Sequence, residues 1–224
     1  MYSNEKMIGD ALAPLIASNV VKREELFITT KLNSSYTSYR AAQKGVEESL
    51  KNFKMDYVDL YLIHEPYSQS VEMYKALEEY YRKGVIKAIG VSNFKESFFK
   101  NFVSNVDVVP MLNQVECHPY FQQKSLKKVL DQTNTAMEAW APFTEGRRNP
   151  FREGLLIQIG GAHQKSAAQV ILRYLIQKDI IVIPKSSRKE RLEENFDVFD
   201  FELTPEEISQ IEKMDVNRSL FGWY

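Results

Sequence analysis

Lys31, His64, Ser92, Asn93, Gln114, Glu116, Lys185 and Ser186 share one feature: each stands at or near the end of an apolar, β-branched run. The runs are ELFITTKL, DYVDLYLIH, IKAIGVSN, VVPMLNQVEC, TAMEAWAPF and DIIVIPKS, the fifth ending near Trp140 and Pro142. Ammonium, imidazole, hydroxyl and carboxamide groups are those that hold or move protons and grip polar ligands. From Lys31 to His64, Ser92 and Glu116 the steps are roughly the length of one strand–helix unit. Parallel strands would point all of these side chains at one face. Polar groups on C-terminal strand ends are where a closed barrel keeps its active site, whereas an open sheet gathers only the strands beside its switch point. Functional-type ends on six strands therefore favour a barrel.

The elements that must position these residues are readable between the runs. YRAAQKGVEESLKNF sets Ala42, Val46, Leu50 and Phe53 at steps of three or four, and VEMYKALEEYYRKG does the same with Val71, Tyr74, Leu77 and Tyr81 before a stop at Gly84. SAAQVILRYLIQK opens with the capping box Ser166/Gln169, and TPEEISQIEKM with Thr204/Glu207 and Pro205 at the first helical position. NEKMIGDALAPLIAS reads as a helix weakened by Gly9 and Pro14. Short apolar runs are the mark of parallel strands buried on both faces. Repeated βα units imply a parallel sheet with right-handed crossovers. No low-complexity linker interrupts residues 1–224, so one domain is expected.

The composition narrows the function classes. With 224 residues, 44% hydrophobic and 26% charged, the chain suits a globular protein with a sizeable core. A net charge of −1 creates no field that would draw it to nucleic acid or an anionic membrane. A lone cysteine, Cys117, excludes an internal disulfide framework and favours a reducing compartment. No apolar run reaches the roughly 20 residues that span a bilayer, and no signal sequence opens the chain, so a cytoplasmic protein is expected. His118 and His163 read as packing or surface residues, because no Cys, His and acidic cluster has metal-ligand spacing.

Seven segments in order, YSNE, ELFITTKL, MDYVDLYLIHEP, GVIKAIGVSNF, LNQVECHPY, AQVILRYLIQKDIIVIPKS and RLEENFDVFDFELTPEE, resemble the aldo-keto reductase family over essentially the whole chain. The resemblance implies a (β/α)8 TIM-barrel fold, NADPH as cofactor and reduction of a small-molecule aldehyde or ketone by hydride transfer. It implies Tyr2 as the general acid, Lys31 as the ammonium that lowers the phenol pKa, and His64 as the group that orients the carbonyl. Ser92, Asn93 and Gln114 match the residues that hold the nicotinamide carboxamide, and Trp140 the aromatic, more often tyrosine, that stacks on the ring. Lys185, Ser186 and Arg191 match the clamp on the adenosine 2′-phosphate, and Glu194 and Asn195 the adenine contacts. A cationic clamp with an arginine suits a phosphate and predicts NADPH over NADH. No glycine-rich dinucleotide loop is present, so a Rossmann site is not indicated.

Three departures from the family pattern stand out. Glu65 replaces an aromatic that often lines the substrate pocket, and Ala141 replaces a serine that often contacts the pyrophosphate. The family also has a segment ahead of its tyrosine that supplies the first two barrel strands and a catalytic aspartate, so the resemblance implies an N-terminally truncated, six-stranded incomplete barrel. Weak activity and association through open edges are expected of such a chain, and a monomer of a complete one. Two other function classes fit the residues: a barrel lyase with Lys31 as Schiff base, and a non-catalytic NADPH-binding or interaction protein derived from a reductase. NSSYTSY and the C-terminal SLFGWY, with Trp223 and Tyr224, either line the substrate pocket or pack outside the barrel.

Overall fold

The computed structural model describes residues 4–222, and the expectations placed on Tyr2, Trp223 and Tyr224 lie outside them. The chain groups into two compact units, residues 1–112 and 113–224.

The first unit runs α1 (Glu5–Ala17), β1 (Thr29–Leu32), α2 (Tyr39–Phe53), β2 (Val58–Ile63), α3 (Ser70–Arg82), β3 (Ile86–Ser92) and α4 (Glu96–Val103). Its three strands lie parallel in chain order, with Lys31 opposite Leu62 and Ile63 opposite Val91. Leu60 and Leu62 pack with Leu112 in the core. Gly90 is required there, since a Cβ would lie 2.4 Å from the Leu112 carbonyl oxygen.

α2 forms over its expected span, with Leu50 of the expected stripe only half-buried. Ser38 accepts the Ala41 N–H at its start, Lys54 ends it in the left-handed region, and Ala42, Val46, Ser49 and Phe53 are buried. In α3 the buried face is Met73, Tyr74, Ala76, Leu77 and Tyr80. It is rotated from the expected stripe, so that Val71 and Tyr81 are only half-buried. The glycine that weakens α1 on propensity has a packing reason: Gly9 is its buried residue, and a Cβ would meet the Asn52 carbonyl oxygen of α2 at 2.2 Å.

The second unit runs β4 (Leu112–Glu116), whose first residue closes the first unit, then α5 (Lys124–Gln132), β5 (Ala136–Trp140), α6 (Gly154–His163), α7 (Ala167–Gln177), β6 (Ile180–Val182), α8 (Lys189–Phe196) and α9 (Pro205–Glu212). β5 and β6 pair in parallel with Met137 opposite Ile180. Both expected capping boxes are present, at Ser166/Gln169 and at Thr204/Glu207. β2 and β4 are buried almost throughout.

The strands are shorter than their apolar runs. In ELFITTKL only Thr29–Leu32 is strand, because the Ile28 N–H donates to the Asp59 carboxylate at 2.8 Å instead of joining a ladder. Arg23 binds the same carboxylate at 2.7 Å, and Phe27 is left 71% exposed. In DIIVIPKS the strand stops at Val182, two residues before Pro184, which has no N–H to offer. Among the described residues no helix is long and apolar enough to cross a membrane.

Candidate functional site

In the first unit the register brings two expected catalytic residues together. Lys31 lies in β1, and His64 follows β2, where its N–H donates to the Leu32 carbonyl at 2.9 Å. Both line a cavity of about 520 Å³, with Glu5, Thr30, Tyr36, Ser49, Asn52 and Tyr61 among the other walls. Glu5 organises that wall: its carboxylate accepts from Thr30 Oγ1 at 2.6 Å, Ser49 Oγ at 2.8 Å and Asn52 Nδ2 at 3.1 Å. It thereby ties the first turn of α1 to β1 and α2.

Electrostatics separates the groups in this cavity. Burial, reinforced by the Lys31 ammonium, lowers His64 to about 4, so the imidazole is neutral near pH 7. A neutral imidazole offers one N–H donor and one acceptor. Tyr36 is pushed up to about 12, chiefly by its hydrogen bond to Glu48. Burial also pushes Tyr61 upward. Both phenols hold their protons, so neither is a ready proton donor.

Ser92 and Asn93 stand at the end of β3, both buried. Asn93 has φ 63°, a left-handed conformation that asparagine tolerates better than most residues. Its Nδ2 donates to the His64 carbonyl at 3.4 Å, which links the ends of β2 and β3.

In the second unit Gln114 is buried within β4, and its Nε2 donates to the Glu138 carboxylate on β5. Trp140 closes β5, and its ring meets Phe221 edge-to-face at 4.9 Å. Ala141, which follows it, has φ 52°, a strained value for alanine of the kind that clusters at functional sites. The SLFG part of the C-terminal segment is anchored on buried Glu116, which accepts from Ser219 Oγ at 2.5 Å, the Leu220 N–H at 2.8 Å and His118 Nε2 at 3.0 Å. Burial raises the Glu116 carboxyl, but these three bonds outweigh it and hold the group below its usual range. This segment thus packs on Trp140.

Lys185, Ser186, Arg191, Glu194 and Asn195 all line one cavity of about 610 Å³. Lys185 and Ser186 come from the loop after β6, and the other three from α8. The rest of the lining comes from Phe143, Glu145, Gly146, Phe151, Ile157, Lys165 and the start of α7 just after it. Gln114 and Trp140 are not among its lining residues. Two cations and a hydroxyl suit a phosphate, and a carboxylate beside a carboxamide suits an adenine amino group, so the residues present fit an adenosine 2′-phosphate.

Sequence reasoning passed over Glu5, Lys165 and the 143–157 wall. Glu5 had a signal in YSNE, whereas the partners of Lys165 lie far along the chain at Asp197 and Asp200.

A sequence profile described as the aldo/keto reductase family matches residues 1–216. A 9,11-endoperoxide prostaglandin H2 reductase of Trypanosoma cruzi is 39% identical over 99% of this chain and 78% of its own length. A glyoxal reductase of Bacillus subtilis is 39% identical over 96% of this chain and 76% of its own. The crystal structure of a Bombyx mori aldo-keto reductase in complex with NADP superposes with a TM-score of 0.91 at 33% identity, covering 98% of this chain and 77% of that one.

Proposed function

The chain belongs to the aldo/keto reductase family, with a partial (β/α)8 fold and NADP-dependent oxidoreductase chemistry, and we propose that it reduces the carbonyl of an aldehyde or ketone to an alcohol with NADPH. The observation that carries this reading is the meeting of Lys185, Ser186, Arg191, Glu194 and Asn195 around one cavity. Lys185, Ser186 and Arg191 hold the 2′-phosphate, and Glu194 and Asn195 the adenine. Ser92, Asn93 and Gln114 hold the carboxamide of the nicotinamide, and Trp140 supports the ring. When bound, the cofactor supplies the hydride.

The protein's own residues handle the proton and the developing charge. Negative charge builds on the carbonyl oxygen as the carbon is reduced, so an acid and a hydrogen-bond donor must meet that oxygen. Tyr2 is the acid. A free phenol has a pKa of about 10, too high for ready donation near neutrality, and an adjacent ammonium favours the phenolate and lowers it. Lys31 is that ammonium. His64, neutral at working pH, donates its N–H to the carbonyl oxygen without adding a competing positive charge. Its low pKa and its place beside Lys31 in the cavity support this role.

NADPH titration followed by tryptophan fluorescence, then NADPH consumption with glyoxal and a panel of aldehydes and ketones, tests the reading. Glyoxal is the first probe because a relative 39% identical is a glyoxal reductase. Saturable binding and carbonyl-dependent consumption are expected, with Tyr2→Phe binding NADPH but turning over at least about a hundredfold more slowly. Binding without consumption across the panel would favour a non-catalytic NADPH-binding protein.

A further inference from the structure

α8 carries Arg191, Glu194 and Asn195, yet none of its own residues is buried. Phe196, its last residue, is 78% exposed, and the next buried apolar side chain is Val198. Apolar packing along the helix therefore does not set its position.

Its C-terminal end is held by polar bonds. The Asp197 N–H caps the helix through the Glu193 and Glu194 carbonyls at 3.0 and 3.2 Å. The Asp197 carboxylate accepts from Lys165 Nζ at 2.7 Å and Gln169 Nε2 at 3.1 Å. Its carbonyl accepts from the same two groups at 3.4 and 2.7 Å. Lys165 also reaches the Asp200 carboxylate at 2.8 Å. The lysine side chain is 9% exposed and each aspartate 59%, so the ammonium is the sheltered centre of the group. Lys165 immediately precedes Ser166, the N-cap of α7, whose capping box fixes the backbone there. Arg173, further along α7, extends the same seam to the Val198 carbonyl and Glu202.

We propose that Lys165 is a positioning residue for NADPH: by bridging Asp197 and Asp200 to the start of α7, it fixes the end of α8 and so places Arg191, Glu194 and Asn195 on the cavity wall. This rests on the NADPH site proposed above. Lys165 also lines that cavity, but two carboxylates already engage its charge, so it acts through them and not on the cofactor phosphate. The mutual pKa shifts of these groups agree in direction. Lys165 is raised, first by its hydrogen bond to Asp197, and Asp200 is lowered, first by its hydrogen bond to Lys165. A cation at this end also complements the helix dipole.

The test is the NADPH dissociation constant of the full chain and of Lys165→Met, Lys165→Arg and Asp200→Asn, with amide hydrogen exchange read in α8. Lys165→Met is expected to weaken NADPH about tenfold, and Lys165→Arg to restore much of it. Exchange in α8 should rise in Lys165→Met while α2 and α3 keep their protection. The KM for NADPH should rise while kcat at saturation holds. Asp200→Asn, a change at an exposed residue, is expected to weaken NADPH a few-fold. Tighter NADPH binding by Asp200→Asn would make Lys165 a direct phosphate ligand and overturn the proposal, as would an unchanged dissociation constant in Lys165→Met. A wild-type chain that fails to bind NADPH would overturn the site itself, and the positioning role with it.

Discussion

His64 shows how one environment tunes both chemistry and stability. Its folded pKa of about 4 lies below the ordinary 6.5, so the unfolded chain binds a proton over a pH range in which the folded chain does not. The stabilisation it contributes is complete above pH 6.5 and is lost as the pH falls from 6.5 towards 4. Allowing for solvent screening, the loss is on the order of 1–2 kcal/mol. Urea melts at a series of pH values should therefore show a shallower acid limb in His64→Gln than in wild type; parallel limbs would contradict the assignment. Lys31→Met removes the charge beside that imidazole and the partner proposed for the tyrosine. It should lower kcat at least about a hundredfold and leave the NADPH dissociation constant within a factor of about two, as measured by single-turnover kinetics and fluorescence titration. The contribution proposed for Arg191 is different, to cofactor choice. Loss of one charge-assisted phosphate contact is worth about 1.5–3 kcal/mol, so Arg191→Gln should weaken NADPH tenfold or more and change NADH little. Equal losses for both cofactors would move Arg191 away from the 2′-phosphate.

At the scale of elements, two positions control whether these residues stay in place. Gly9 lets the α1 backbone touch α2 at Asn52 and Phe53, where the obstructing atoms are main-chain and cannot rotate away. Gly9→Ala must displace α1, and with it the three hydrogen bonds of Glu5, at a cost of about 2–3 kcal/mol by thermal melting. Ser166→Ala removes the α7 cap and should cost about 1 kcal/mol. Its local unfolding should also loosen the α8 clasp, since Lys165 is the preceding residue. These elements were unequally legible in the sequence. α2 announces itself through regular apolar spacing, and α7 and α9 through their capping boxes, and all three form where those signals place them. α8 has no buried stripe to read, because long-range ion pairs hold its end. The start of β1 and the end of β6 were overread because apolar residues continue beyond the ladder, where Asp59 and Pro184 limit the pairing. In the site, Lys31 and His64 were legible because a polar residue ends an otherwise apolar run. Lys165 was not, because nothing near it in the chain reveals Asp197 and Asp200.

Over the whole molecule, a net charge of −1 gives no bulk field that gathers an anionic cofactor. On the proposed reading, affinity for NADPH comes from local contacts around the 610 Å³ cavity, chiefly Lys185 and Arg191. Binding to the folded chain alone stabilises it by mass action, by about 2.7 kcal/mol at a hundred times the dissociation constant. At equal concentration NADPH should therefore raise the melting temperature more than NADH does, and Arg191→Gln should erase most of that difference. The single-domain expectation adds a condition on how the shift occurs. If residues 1–224 unfold cooperatively, far-ultraviolet circular dichroism and tryptophan fluorescence must report one coincident transition, and NADPH must move it as a unit. Two separated transitions, with only one responding to NADPH, would instead make residues 1–112 and 113–224 independent in stability. The ligand-linked shift would then be assigned to the unit that carries Lys185, Ser186 and Arg191.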